Sequence, residues 1–219
     1  HLHRGGRGVN GPPIHWLYDR TGASGPGGAF DDAHPISGTL VLAPLDLLDL
    51  LVGRLYANVH TQAHAGGEIR GQLVTAGTPL PGQELGLHRA ILQGHHEVPP
   101  VETNANGRAY LALDDDGLSL HYVVRVADIA GITAAHLHVG QPDESGPPIV
   151  VLYDASGATG PGGAFGPGAP LRGTVLLSAQ HAALLRAGGL YLNVHTQAHA
   201  GGEIRGQIVS FAAGPLETA

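Results

Sequence analysis

The chain has 219 residues. Its formal charge is −7, because it has 18 acidic residues and only 11 basic ones, all of them arginines. Hydrophobic residues make up 42% of it, enough for a buried core, while 35 glycines and 16 prolines favour short elements joined by turns. The absence of cysteine excludes disulfides and thiolate metal sites. The lack of a basic stripe argues against a nucleic-acid partner, and no apolar run approaches the roughly 20 residues that span a bilayer.

An internal repeat organises the chain. Residues 58–72 recur unchanged as 193–207, and the same shift of 135 positions places all of 1–84 on 136–219. Residues 85–135 occur once. The order is therefore segment B, segment A, segment B, and the first copy lacks segment A. The repeat predicts a partial first repeat at 1–77, a linker at 78–84, a complete second repeat at 85–211 and a tail at 212–219.

Alternating and apolar stretches predict many short strands. A leucine-rich stretch, Pro44–Leu51, is the helical candidate of the first copy, and Ala179–Arg186 is its counterpart in the second. Residues 114–117, three aspartates and a glycine, indicate the turn of a hairpin. Predicted strands lie at 87–92, 109–113, 118–126, 135–139, 149–153, 173–177, 190–195 and 203–211. This pattern predicts an all-β fold, a β-sandwich of Greek-key type.

The histidines are spaced as a metal site on strands would require. His136 and His138 are two residues apart, so on a strand both project from one face, while Leu137 points into the core. His195 ends a second apolar strand, and His199 follows four positions later. Copper, nickel and zinc all accept neutral imidazole. The same set recurs in the first copy as His1, His3, His60 and His64.

Other readings of these residues stay open. Isolated histidines are more often solvated or hydrogen-bonded to carbonyl groups than bound to metal, and only the recurrence of the whole set favours ligation. Glu203 and Arg205 are interpreted as scaffolding near the Gly-rich turn. His88, His121 and His181 are expected at the surface.

Several motifs together resemble the CHRD (chordin) domain family. They are residues 93–100, the His136–His138 pair, and residues 190–196 and 202–207. The resemblance implies an immunoglobulin-like Greek-key β-sandwich, distantly similar to Cu/Zn superoxide dismutase, in two tandem copies of which the first lacks its N-terminal strands. It also implies an extracellular or cell-surface location, with the bacterial periplasm as an alternative, since the family occurs in chordin, an antagonist of growth factors, and in secreted bacterial proteins.

The remoter similarity to the dismutases implies a metal. It makes His136, His138 and His195 copper ligands, with His199 as a fourth ligand or a neighbouring group. The dismutases carry their zinc ligands between the pair and the later strand, but residues 140–173 hold no histidine here. The similarity thus implies one copper per complete copy, with zinc as the second choice of metal.

Three functions are consistent with these patterns. The first is a secreted, non-enzymatic copper-binding component of an extracellular assembly or filament. The second is a copper redox enzyme of superoxide dismutase type. The third is an extracellular protein-binding module whose histidines are structural. Since a B segment alone exposes strand edges, we expect either a longer tandem array that supplies the missing strands, or head-to-tail self-association.

Overall fold

The computed structural model describes residues 1–74 and 86–210. They form two compact units, one within 1–74 and one within 86–210. The predicted linker at 78–84, the predicted tail at 212–219 and the last residue of the predicted strand 203–211 lie outside the described residues. Neither helix in the described part of the chain has the length and apolar character needed to cross a membrane.

The first unit is a four-stranded antiparallel sheet with one helix. Its elements are β1 (Leu2–Arg4), β2 (Pro13–His15), α1 (Pro44–Leu51), β3 (Leu55–Val59) and β4 (Ile69–Gln72), and the sheet order is β2, β1, β3, β4. Pro44 suits the start of α1, because the first N–H groups of a helix have no partner within it. Leu48 and Leu51 of α1 are buried.

The second unit is an almost closed, barrel-like sheet, which confirms the all-β class. Its elements are β5 (Gly86–Gln93), a 3-10 turn (Gly94–His96), β6 (Asn106–Leu113), β7 (Ser119–Ala127), β8 (Ile132–Val139), β9 (Pro148–Asp154), β10 (Leu171–Leu176), α2 (Ala179–Arg186), β11 (Leu190–Thr196), β12 (Ile204–Gln207) and β13 (Val209–Ser210). The sheet order is β10, β7, β6, β5, β12, β11, β8, β9, with β13 also pairing β5. The end strands β9 and β10 lie close together, and fully buried side chains such as Leu111, Leu137 and Leu192 fill the interior.

The two units differ in the strands that flank segment B. In the second unit β10 pairs with β7, and β12 is flanked by β5; both partners belong to segment A. In the described part of the chain the first copy has no such partners, and residues 36–41, which match β10 in sequence, form no strand.

Three expectations need correction. The predicted strand 203–211 is broken at Ile208, whose N–H donates to the carbonyl of Leu190, so that β13 turns to pair with β5. His88 is only 3% exposed, not at the surface. His121 is largely buried as well, because its ring contacts Asp114 at 2.9 Å and Thr174 at 2.8 Å.

Candidate metal centre

Two groups of three histidines come together, one in each unit. They are His136, His138 and His195, and His1, His3 and His60. In each group, one imidazole nitrogen from every member lies within 4.8 Å of the other two. Within the described residues, these are the only groups of three or more His, Asp or Glu side chains placed to share an ion.

Strand periodicity builds the group of the second unit. Leu137 is fully buried and points inward, so His136 and His138 on either side of it face outward. The neighbouring strand β11 is antiparallel, with Tyr191 opposite His138 and Asn193 opposite His136. His195, two residues beyond Asn193, therefore projects from the same outer face, where the three imidazoles converge.

The two groups have nearly the same distances between their rings. In the second unit the ring centroids of His136 are 5.7 Å from His138 and 4.8 Å from His195, and the remaining pair is 5.9 Å apart. In the first unit the corresponding distances, in the same order, are 5.6, 4.9 and 5.8 Å. The arrangement is thus a property of segment B alone.

Backbone carbonyls set the tautomers in the second unit. His138 Nδ1 lies 2.9 Å from the Gly146 carbonyl oxygen, and His195 Nδ1 lies 3.1 Å from that of Ala200. Because a carbonyl only accepts, each Nδ1 carries the proton, and each Nε2 presents its lone pair. His138 Nε2 is buried without a hydrogen-bond partner, and His195 Nε2 faces His136 Nδ1 at 3.1 Å.

In the first unit two ring nitrogens are likewise fixed by carbonyls, and all three nitrogens that face one another lack a hydrogen-bond partner. His3 Nδ1 and His60 Nδ1 each lie 2.9 Å from a carbonyl oxygen, those of Gly11 and Ala65. His1 Nδ1, His3 Nε2 and His60 Nε2 are all buried without a hydrogen-bond partner. Buried polar atoms are normally paired, so three converging nitrogens without partners fit a shared cation bound at about 2.0–2.1 Å from each.

The electrostatics of the second unit favour neutral ligands. Burial lowers the pKa of His136 to about 4, with smaller contributions from His195 and His138. Burial also lowers the pKa values of His138 and His195. Neutral imidazole is the form that coordinates a metal, so the three rings are ready to bind at neutral pH.

His199 and His64 lie outside the groups. The spacing predicts them as further ligands, but neither side chain belongs to a group. Instead, their backbone N–H and carbonyl groups form the hydrogen bonds of a turn. His199 N–H donates to Thr196 Oγ1 at 3.2 Å, and its carbonyl accepts from the N–H groups of Thr196 and Gly202. His64 makes the same contacts with Thr61 and Gly67.

A tyrosine that sequence reasoning missed supports the second group. Tyr191 stacks on His138, and its hydroxyl accepts from the N–H of Gly146 at 3.1 Å and lies 3.3 Å from that residue's carbonyl oxygen. The guanidinium carbon of Arg205 lies over the Tyr191 ring, 3.5 Å from its centroid. A side chain at Gly146 would collide with the Val139 carbonyl, so only glycine allows this approach.

The internal repeat is the sequence feature that could have revealed the role of Tyr191. Tyr56, Gly11 and Arg70 occupy the positions of Tyr191, Gly146 and Arg205 in the first copy.

Glu203 and Arg205 act as scaffolding, in line with their interpretation from the sequence. Glu203 is buried and accepts hydrogen bonds from the hydroxyls of Thr196 and Thr103 at 2.7 and 2.8 Å. Arg205 donates to the Gln141 carbonyl at 2.7 Å. The bond between Glu203 and Thr196 holds the turn that follows His195, and the bond from Arg205 to Gln141 joins β12 to the segment after β8.

Comparison with known proteins supplies the family. The model of the CHRD domain matches residues 1–73 and 88–208. This chain belongs to the CHRD domain family. Both units carry the match, so the family resemblance expected from the sequence is confirmed.

The chain is also similar to chordin of Xenopus laevis, with 32% identity over 176 residues. The matched region is 74% of this chain but 17% of chordin, so the chain spans only a small part of that relative's length. No solved structure gives a significant match to the chain.

Proposed function

We propose that this chain is an extracellular CHRD-repeat module that binds copper at two three-histidine sites and catalyses no reaction itself. The observation that carries the proposal is the convergence of three imidazole nitrogens without hydrogen-bond partners in the first unit. The second unit repeats the ring distances, although His136 Nδ1 and His195 Nε2 there lie 3.1 Å from each other. Similarity to chordin supports the extracellular location.

The ligand chemistry supports copper over other metals. The chain holds no cysteine and no methionine, so imidazole nitrogens are the available donors of the groups. Among divalent first-row ions such sites bind copper most strongly, with zinc as the second choice. A bound copper ion would supply a localised positive charge and an open coordination position on the outer face of each sheet, and the histidines would hold it there.

We propose two sites per chain, instead of one per complete copy. Every member of both groups belongs to segment B, and the first unit assembles its group without segment A. The group of the first unit therefore contains no residue of segment A.

Electron paramagnetic resonance of the copper-loaded full chain tests the ligand assignment. We expect a Cu(II) spectrum with nitrogen hyperfine structure, which halves in intensity when His136 and His138 are both replaced by Ala. The matched control is His199→Ala, which should leave the spectrum unchanged, because its side chain lies outside the group. Loss of all copper on dialysis of the native chain would contradict the proposal and favour a protein-binding module with structural histidines.

One observation favours a second candidate, a redox enzyme of superoxide dismutase type. Three protein ligands leave part of the coordination sphere of copper open to small molecules. The measurement is superoxide consumption by the copper-loaded chain, compared with free copper and with the variant lacking His136 and His138. Turnover that depends on these histidines would establish the enzyme; turnover no faster than that of the variant would exclude it.

A further inference from the structure

Four arginines from distant parts of the chain lie side by side on the outer face of the second unit. Each directly adjoins a buried core residue of its own strand, as Arg108 adjoins Ala109 and Arg125 adjoins Val124, so its side chain points away from the core. Their strands follow one another in the sheet as β10, β7, β6, β5. We call these residues the arginine row, which consists of Arg89 of β5, Arg108 of β6, Arg125 of β7 and Arg172 of β10.

The register of the strands makes the arginine row continuous. Arg108 and Arg125 are direct partners across β6 and β7. Arg89 and Arg172 each pair with the residue two positions away from the next arginine of the row, so each lies diagonally beside it. Because neighbouring strands lie about 4.8 Å apart, the row crosses four strands over roughly 14 Å.

The arginine row concentrates positive charge on a chain that is negative overall. The chain has 18 acidic residues, but the ranges of these four strands contain none of them. Arg89, Arg108 and Arg125 are exposed, and Arg172 is half-buried. Like charges that face each other across a sheet, such as Arg108 and Arg125, destabilise it. An anion lying along the row offsets this repulsion, and the planar fork of a guanidinium suits sulfate and carboxylate groups.

A polar cavity adjoins the arginine row at Arg108. Its volume is about 460 Å³, which lies in the usual range of ligand sites. Arg108 and its partner Ile91 line it together with the segment between β5 and β6. The other polar side chains of the lining are Gln93, His95, Glu102, Thr103, Asn104 and Asn106. Amide groups both donate and accept hydrogen bonds, as the hydroxyl groups of a sugar require.

We propose that the arginine row and this cavity bind an acidic polysaccharide, one that carries sulfate or carboxylate groups. The arginines contact the acidic groups, and the amide side chains of the cavity hydrogen-bond neighbouring hydroxyls. Glu102 is exposed and lines the cavity, so it repels an anion there and leaves the cavity to the hydroxyls. The metal group of this unit lies on β8 and β11, beyond β12 in the sheet order, so the polysaccharide site does not depend on copper.

A single-stranded nucleic acid fits this surface less well. Proteins that bind such strands combine a cationic groove with several aromatic side chains on which the bases stack. Among the outward positions of the four strands, Tyr110 is the one phenylalanine, tyrosine or tryptophan, and none of the described residues that line the cavity is aromatic in this sense. The surface therefore offers charge and hydrogen bonds but little stacking.

Titration of the full chain, freed of metal ions with a chelator, tests the proposal. Dextran sulfate or polygalacturonate, which carry sulfate and carboxylate groups, should bind, with an affinity that falls as salt rises, and neutral dextran should not. Arg108→Gln and Arg125→Gln should each lower the affinity roughly fivefold and make its salt dependence less steep. The matched control is Arg20→Gln, at an exposed arginine of the first unit, which should change neither quantity.

Asn104→Ala separates a polysaccharide site from a general attraction to polyanions. The variant removes an amide of the cavity and leaves the charge unchanged. It should therefore weaken the binding of the acidic polysaccharide roughly threefold and leave the binding of inorganic polyphosphate as it is. Equal losses for both polymers would overturn the role of the cavity.

Three further results would overturn the site. They are the absence of binding to either acidic polysaccharide at low salt, an equal loss of affinity in Arg20→Gln and Arg108→Gln, and tighter binding of a single-stranded oligonucleotide than of both polysaccharides. Circular dichroism of each variant, matched to the native spectrum, establishes that a loss of binding reflects the altered contact and not unfolding.

Discussion

The ring of Tyr191 lies nearly parallel to that of His138, with centroids 4.8 Å apart and planes inclined by 17°. The first unit repeats the pair as Tyr56 and His3, at 4.9 Å and 17°. The tyrosine holds the ligand in two ways, since its hydroxyl also contacts Gly146, whose carbonyl accepts from His138 Nδ1.

Tyr191→Phe should separate these two contributions. The variant keeps the stacked ring but loses the hydroxyl contacts with Gly146, so the copper affinity of the second site should fall about tenfold. A competition titration against a chelator measures the change. Tyr122→Phe is the control, because it removes a buried hydroxyl that contacts the Leu152 carbonyl at 3.3 Å, away from the histidines. Equal losses in both variants would contradict a specific role for Tyr191.

Trp16 should report on the first site alone. It is the single tryptophan of the chain, and its ring centroid lies 3.6 Å from that of His1. Because Cu(II) quenches the fluorescence of a nearby indole and zinc does not, copper should strongly quench the emission. Replacing His1 and His3 by Ala should abolish the quenching, whereas replacing His136 and His138 should leave it intact. Quenching that survives the first pair of replacements would place the copper elsewhere.

Glu97 should make the stability of the second unit depend on pH. It is 7% exposed, with Asn193 as its hydrogen-bond donor, and burial raises its pKa from 4.5 to about 7. The folded state therefore holds the proton more tightly than the unfolded state. The contribution of Glu97 to stability is greatest below about pH 4.5 and is lost as the pH rises to about 7.

Glu97→Gln should remove this dependence. The change in free energy of unfolding between pH 5 and pH 8 should shrink by on the order of 2 kcal/mol, which urea titrations at the two pH values measure. Glu102→Gln is the control, since Glu102 lies in the same segment but is exposed. A Glu97→Gln variant with the native pH dependence would show that another group is responsible.

Local patterns in the sequence predict much of the second unit. Both helices occupy the predicted residues, and Ser178 caps α2 by accepting from the N–H of His181. Strand pairing could not be predicted, because the break at Ile208 and the absence of a strand at 36–41 depend on distant partners.

The candidate site likewise has a part that local spacing predicts and a part that depends on distant residues. Spacing on strands predicts that His136 and His138 share a face and that His195 joins them, as the structure shows. It does not reveal which nitrogen each ring presents, since that depends on carbonyls several residues away. The same limit applies to Tyr191, whose contact with His138 exists only across the paired strands.

An ion cluster should stabilise only the first unit. Arg4 donates to Asp46, and to Asp49 at 2.8 Å, and Asp49 is fully buried on α1. The positions of Arg4 and Asp49 are held by Val139 and Leu184 in the second copy. Asp49→Ala leaves the guanidinium without its buried partner and should destabilise the first unit by about 3 kcal/mol.

Hydrogen exchange of the amides in β1 and α1 measures this loss. The double variant with Arg4→Val and Asp49→Leu introduces the residues of the second copy and should recover part of the stability, because an apolar pair can replace a buried ion pair, while Asp46 and Arg54 each lose a contact. A double variant as unstable as Asp49→Ala would contradict this explanation.

The copper-to-protein ratio after exhaustive dialysis tests two-site binding most directly. Elemental analysis of the native chain should give two copper ions per chain. Replacing His136 and His138 by Ala should leave one, replacing His1 and His3 should also leave one, and replacing all four should leave none. A native chain that retains no copper, or a fourfold variant that retains two ions, would contradict binding at the two three-histidine groups.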